Sequence, residues 1–119
     1  MEESQDIDTH LSKRRHNRIA AMQFLYMYEF NPPEDIPIGL RRFFENMQED
    51  REYYEFAEEL IHGVIEQLSN VDEHIKKHAQ NWSWQRIAKV DLAILRLSIY
   101  ELLYRPDIPP VVTINEAVD

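Results

Sequence analysis

Residues 86–104 read "RIAKVDLAILRLSIYELLY", and this stretch decides the fold. Ile87, Val90, Ile94, Leu95, Ile99, Leu102 and Leu103 place apolar side chains nearly all round a helical wheel. A helix of that kind is expected to be enclosed by other helices rather than laid on a surface. Asp91, Arg96 and Glu101 break it up, so no run of about 18 apolar residues exists to cross a membrane. The stretch therefore predicts a central helix over about 83–105 in an all-α protein.

Outward from it, Pro106 stops the helix and "DIPP" makes a rigid corner. Thr113 with Glu116 three residues later is a capping-box signature for a further helix, which has barely begun at Asp119. On the N-terminal side, Trp82 and Trp84 flank Ser83 and read as packing residues. Asn70 reads as the cap of a short helix over 71–79. Tyr54, Ala57, Ile61, Val64 and Leu68 recur at three- and four-residue steps and predict a helix over 50–69. Gly63 inside that helix costs roughly 1 kcal/mol relative to alanine, and its simplest use is a close helix crossing. "IGLRRFFENM" predicts a helix over 38–47 with Leu40, Phe43, Phe44 and Met47 inward. The first helix is expected over 13–30, its apolar face made by Ile19, Met22 and Tyr26 with Ala21, Leu25 and Tyr28 alongside. Pro32 ends it. Residues 1–12 are acidic and lack periodicity, so they read as a flexible tail. The domain proper is expected over 13–119: five helices and the start of a sixth.

Composition agrees. Two glycines among 119 residues are too few for the turns of a sheet protein. Cysteine is absent, which excludes disulfides, thiolate metal sites and a cysteine nucleophile, and suits a reducing cytoplasm. "MEESQDID" is not a signal peptide.

Charge is sorted along the chain. The net charge is −9, yet between Thr9 and Tyr28 there is no acid, while Lys13, Arg14, Arg15 and Arg18 fall within six residues. Arg14 and Arg18 are four apart and Arg15 and Arg18 three apart, so each pair shares a helix face and repels itself. Cations near a helix N-terminus also oppose its dipole. A polyanion reverses the sign of both effects, which makes this strip a candidate nucleic-acid contact. The plainer alternatives are a solvated charge run or an intramolecular mate for the acidic tail. "EDREYYEFAEE" (49–59), with six acids and one arginine, reads as a solvated face. His74 and His78 have the spacing of two metal ligands but lack a recognisable third. No glycine-rich phosphate loop, nucleophile elbow or Ser/His/Asp set is present, so neither enzymatic chemistry nor a cofactor is expected.

Three segments together resemble the NusB family of bacterial transcription antitermination factors. They are "RRHNRIAAMQFLYMYEF" (14–30), "ELIHGVIE" (59–66) and "RIAKVDLAILRLSIYELLYRPDIPPVVTINEAVD" (86–119). The combination of LR-x-x-x-YEL, IP and INEA carries the likeness. The resemblance implies an all-helical adaptor that binds the boxA element of nascent ribosomal RNA transcripts together with the ribosomal protein NusE. Through that complex it would join other Nus factors on RNA polymerase. By position, Lys13, Arg14, Arg15 and Arg18 fall on the family's RNA-contacting helix, where His16 and Asn17 depart from a more basic pattern. Tyr26 matches a tyrosine of the RNA and partner assembly, and Asp91 an acidic position on that surface. Arg96, Glu101, Asn115 and Glu116 read as structural. Two alternatives stand beside this reading: the related domain of rRNA cytosine-5 methyltransferases, and a self-associating helical module. Some NusB proteins form homodimers that hide the basic face, so oligomeric state stays open. NusB proteins also continue beyond the counterpart of Asp119. On that ground apolar surface near Ile94, Leu95 and Leu102 is expected to be uncovered, with low stability or self-association as the result.

Overall fold

In the computed structural model, which describes residues 2–79 and 83–108 (side chains from residue 12 onward), the first helix, α1, spans Glu2–Phe30. It therefore starts well before Lys13, where an irregular tail was expected. No glycine or proline precedes Pro32 to stop it, and Glu2, Glu3 and Asp6 in its opening turns have the sign that the helix dipole favours. α1 ends as the proline predicts, with the Asn31 amide donating to the Met27 carbonyl at 2.9 Å.

α2 covers Ile36–Glu45, α3 Glu55–Glu66, α4 Leu68–His78 and α5 Lys89–Tyr104, with 3₁₀ turns at Arg51–Tyr54 and Trp84–Arg86. Every regular element among the described residues is helical. None of these helices is long and apolar enough to cross a membrane. The chain divides within α3 into two compact units, residues 1–59 and 60–119. Trp82, the Pro109–Pro110 corner and the predicted cap at Thr113 with Asn115 and Glu116 lie outside the described residues.

In the first unit, α2 opens on Asp35, whose carboxylate accepts from the Ile38 amide at 3.1 Å, with Pro37 in the first turn. The Asp50 carboxylate likewise accepts from the Tyr53 amide at 3.1 Å and starts the 3₁₀ turn. Aromatic rings build the interior: Phe24 and Phe43 meet edge-on with centroids 5.4 Å apart, and Phe44 stacks on Tyr54 at 5.2 Å. The buried face of α1 consists of Asn17, Arg18, Ala20, Ala21, Phe24 and Leu25, whereas Ile19 and Tyr26 are exposed. That is rotated from the face the periodicity predicted, because α1 carries large apolar residues on two sides.

The second unit corrects two expectations. The third and fourth helices break at Gln67, not Asn70; Asn70 sits inside α4 and donates to the Gln67 side-chain carbonyl at 3.2 Å and to the Tyr104 hydroxyl at 3.3 Å. α5 is also not enclosed all round. Leu92, Ala93, Arg96, Leu97, Tyr100 and Glu101 form its buried face, while Val90, Leu95, Leu102 and Leu103 are exposed. Arg96 and Glu101 thus point inward and several leucines outward. The reason is a charge pair: Arg96 donates to both carboxylate oxygens of Asp72 on α4, at 2.8 and 2.9 Å.

Gly63 behaves as the sequence suggests. A Cβ there would collide with the hydroxyl end of the Tyr100 ring on α5. Gly63→Ala gains about 1 kcal/mol of helix propensity but forces a buried ring aside at about 1–3 kcal/mol. The expected result is a lower urea midpoint; a midpoint at or above the parent's would show that Tyr100 yields freely.

Candidate nucleic-acid interface

The cations of α1 rest on an aromatic ledge built by the segment that follows α2. Lys13 Nζ lies 5.3 Å from the centroid of the Tyr53 ring, and the Arg14 guanidinium 4.5 Å from that of Phe56. These are cation–π distances. The Tyr53 hydroxyl and His16 Nδ1 are 2.8 Å apart. Burial, with Glu49 and Tyr54 nearby, holds the Tyr53 phenol above its ordinary pKa, so it keeps its proton through the neutral range. Arg15 is exposed.

Asn17, which the sequence marks only as a departure from a basic pattern, holds this arrangement. Its side-chain amide is fully buried and donates to the carbonyls of Lys13 at 2.8 Å and Tyr53 at 3.0 Å. Its oxygen accepts from the Ala57 amide at 2.9 Å. Tyr53 C=O and Ala57 N–H are the two groups an unbroken α-helix would join, and the Asn17 amide bridges them. An inserted side chain of this kind accounts for the change from 3₁₀ turn to α-helix where one continuous helix was expected. The signal available was a short amide side chain on what proves to be the inner face.

Arg18 lies inside the first unit, only 3% exposed, with its guanidinium 5.8 Å from the Phe56 ring centroid. A side chain so enclosed is held against Phe56, beneath the more exposed cations of the strip. Lys13 and Arg14 are brought onto the ledge with Arg15 beside them; Arg18, although buried, shares the Phe56 ring with Arg14. Tyr26 is exposed and meets Phe30 edge-on at 4.9 Å. Among the described residues Phe30 is the most exposed large apolar side chain, at 59%, and was not singled out from the sequence. Its four-residue spacing from Tyr26 at a proline-terminated helix end was the available clue. Arg15 and Tyr26 stand about 17 Å apart along the helix axis. Asp91 is exposed in the first turn of α5, in the second unit.

The acidic run is not merely a solvated face. Glu52 and Glu55 line a cleft of about 160 Å³ together with Lys13, Arg14, Asn17 and Phe56. A larger cleft of about 700 Å³ lies alongside, between Lys13, Glu49, Asp50, Glu52 and Arg51. Arg51 is itself hydrogen-bonded to Glu58, which raises its pKa above the ordinary value. The basic strip is therefore bordered by carboxylates on one side. His74 and His78 stack with centroids 6.4 Å apart, and among the described residues no group of three or more His, Asp or Glu could hold a metal.

Residues 15–119 match the model of the NusB family. The chain belongs to the NusB family. It is 40% identical over 117 residues to the transcription antitermination protein NusB of Geotalea uraniireducens, covering 92% of this chain and 80% of that protein. Among solved structures it is similar to NusB of T. maritima, with a TM-score of 0.76 at 38% identity over 88% of this chain and 73% of that one. It also shares the fold of a chain in a crystal structure of the antitermination factors NusB and NusE in complex with double-stranded RNA. There the TM-score is 0.77 at 24% identity, over 91% of this chain and 80% of that one. In this NusB-family chain, Arg15, Tyr26 and Asp91 fall within the matched residues, and Lys13 and Arg14 lie just ahead of them.

Proposed function

We propose that this chain is a transcription antitermination factor. It binds the boxA element of nascent rRNA transcripts as single strand, together with NusE. It works in the cytoplasm as an adaptor without chemistry of its own, joining other Nus factors on RNA polymerase through that complex. The observation that carries the reading is the strip Lys13–Arg15, held on Tyr53 and Phe56 and hemmed by Glu52 and Glu55. Phosphates are attracted to the cations and repelled from the carboxylates, so a strand is steered along one side of α1. Tyr26 and Phe30 offer exposed ring faces on the same helix, and stacking on such rings favours unpaired bases. Asp91 is assigned to the partner-binding surface.

The test is a titration of boxA-like RNA, a scrambled strand and a duplex, each with and without NusE. Preference for the boxA strand, increased by NusE, is expected. Equal affinity for all three would overturn the specific reading. Arg14→Glu with Arg15→Glu should also flatten the plot of log affinity against log salt by about 1.4, since each single-strand phosphate contact contributes roughly 0.7. An unchanged slope in the folded variant would remove the strip from the interface.

A further inference from the structure

A second acid-free window runs from His74 to Val90, "HIKKHAQNWSWQRIAKV". It holds Lys76, Lys77, Arg86 and Lys89, the same +4 as the α1 strip, in the unit that α1 does not belong to. Lys76 Nζ lies 4.6 Å from the centroid of the Trp84 ring, which ties the last turn of α4 to the 3₁₀ turn carrying Arg86. On the Trp84 side the Arg96 guanidinium stands 5.8 Å from the same ring and is occupied by Asp72. Lys76, Lys77 and Arg86 are all exposed. The side chains of Lys77 and Arg86 make no ion pair or hydrogen bond among the described residues.

A structural role explains only part of this. Lys76 and Lys77 occupy the last turn of α4, where cations suit the helix dipole. Arg86 is in no helix C-terminus of that length, so the dipole does not account for it, and Glu73 is the one carboxylate among the described residues lining the cleft of Lys76 and Lys77. In a chain of net charge −9, exposed Lys76 and Lys77 at a helix end tied to a half-buried tryptophan, with Arg86 in the turn that carries that tryptophan, have the composition of a nucleic-acid backbone contact. We infer that Lys76, Lys77 and Arg86 form a second RNA-backbone surface, which takes phosphodiesters without reading sequence. The inference rests on the RNA-binding function proposed above and adds to it a separate site.

The experiment is a salt series of poly(U) binding, a probe with phosphates but no boxA sequence. It compares the parent chain, Arg14→Gln/Arg15→Gln, and Lys77→Gln/Arg86→Gln. Lys76 is left in place because it packs on Trp84. The second pair should lower the slope by about 1.4 and weaken binding about tenfold at 0.15 M salt. Single variants Lys77→Gln and Arg86→Gln, read by the same slope, cover the case in which the pair fails to fold. A cation serving only the α4 dipole would instead move the melting temperature and leave the slope alone. Should the α1 pair weaken binding while the Lys77/Arg86 variants do not, this inference falls and the proposed function stands. Should the parent not bind RNA at all, both fall.

Discussion

Asn17→Leu is expected to lower the unfolding free energy by roughly 3–4 kcal/mol, the larger part of what a small domain has to lose. Leucine has nearly the shape of asparagine but none of its hydrogen bonds. The change leaves the Ala57 amide and the Tyr53 carbonyl without the partner they share, the first buried and the second partly so. Each buried unsatisfied group costs about 1–3 kcal/mol. Because Asn17 also fixes Tyr53 and Phe56 beneath Lys13 and Arg14, RNA affinity should fall with stability. A urea midpoint within a few tenths of the parent's would show that the junction can re-form as an ordinary helix.

Asn17→Asp sharpens the test. The carboxylate can still accept from Ala57, but it sets a second oxygen against the carbonyls of Lys13 and Tyr53. Burial and those carbonyls favour the neutral acid, so the folded-state pKa is raised above an unfolded value of about 3.9. The variant should thus be nearest the parent in stability below that value and lose ground as pH rises through its folded pKa. A difference from the parent that stays constant across this range would place position 17 in contact with water.

These predictions concern a residue whose role the sequence does not disclose, and the reason is physical. Stops and caps are local, so Pro32 and Gly63 could be read from a few neighbours. Tyr100, which demands the glycine, sits 37 residues away and could not. Cation clustering is likewise local and visible, and it located Lys13–Arg15. Which way α1 faces is a tertiary matter: its apolar residues occupy two sides, and hydrogen bonds from Asn17 to a distant segment decide between them. The burial of Arg18 was hidden for that reason. In α5 the same ambiguity misled in the opposite direction, since a nearly all-apolar helix buries two of its charges and exposes several leucines.

Arg96→Met is the corresponding test in the second unit, with an expected loss of about 3 kcal/mol. The Arg96 side chain is 6% exposed and that of Asp72 19%, so the pair is largely withdrawn from solvent. Removing one partner of a buried pair typically costs about 3–5 kcal/mol because the other charge is left uncompensated. Residual hydration of Asp72 sets the expectation at the lower end. Arg96→Lys should recover little, because a lysine ammonium cannot reproduce the paired bonds to both carboxylate oxygens. Combining Arg96→Met with Asp72→Leu should recover much of the loss, since no stranded charge remains and well-packed apolar replacements of buried pairs are often neutral. The double-mutant cycle therefore separates the worth of the pair from the cost of stranding Asp72. Additive losses in that cycle would mean that Arg96 acts chiefly by packing on Trp84, and the charge-pair account of why α5 turns this face inward would have to be abandoned.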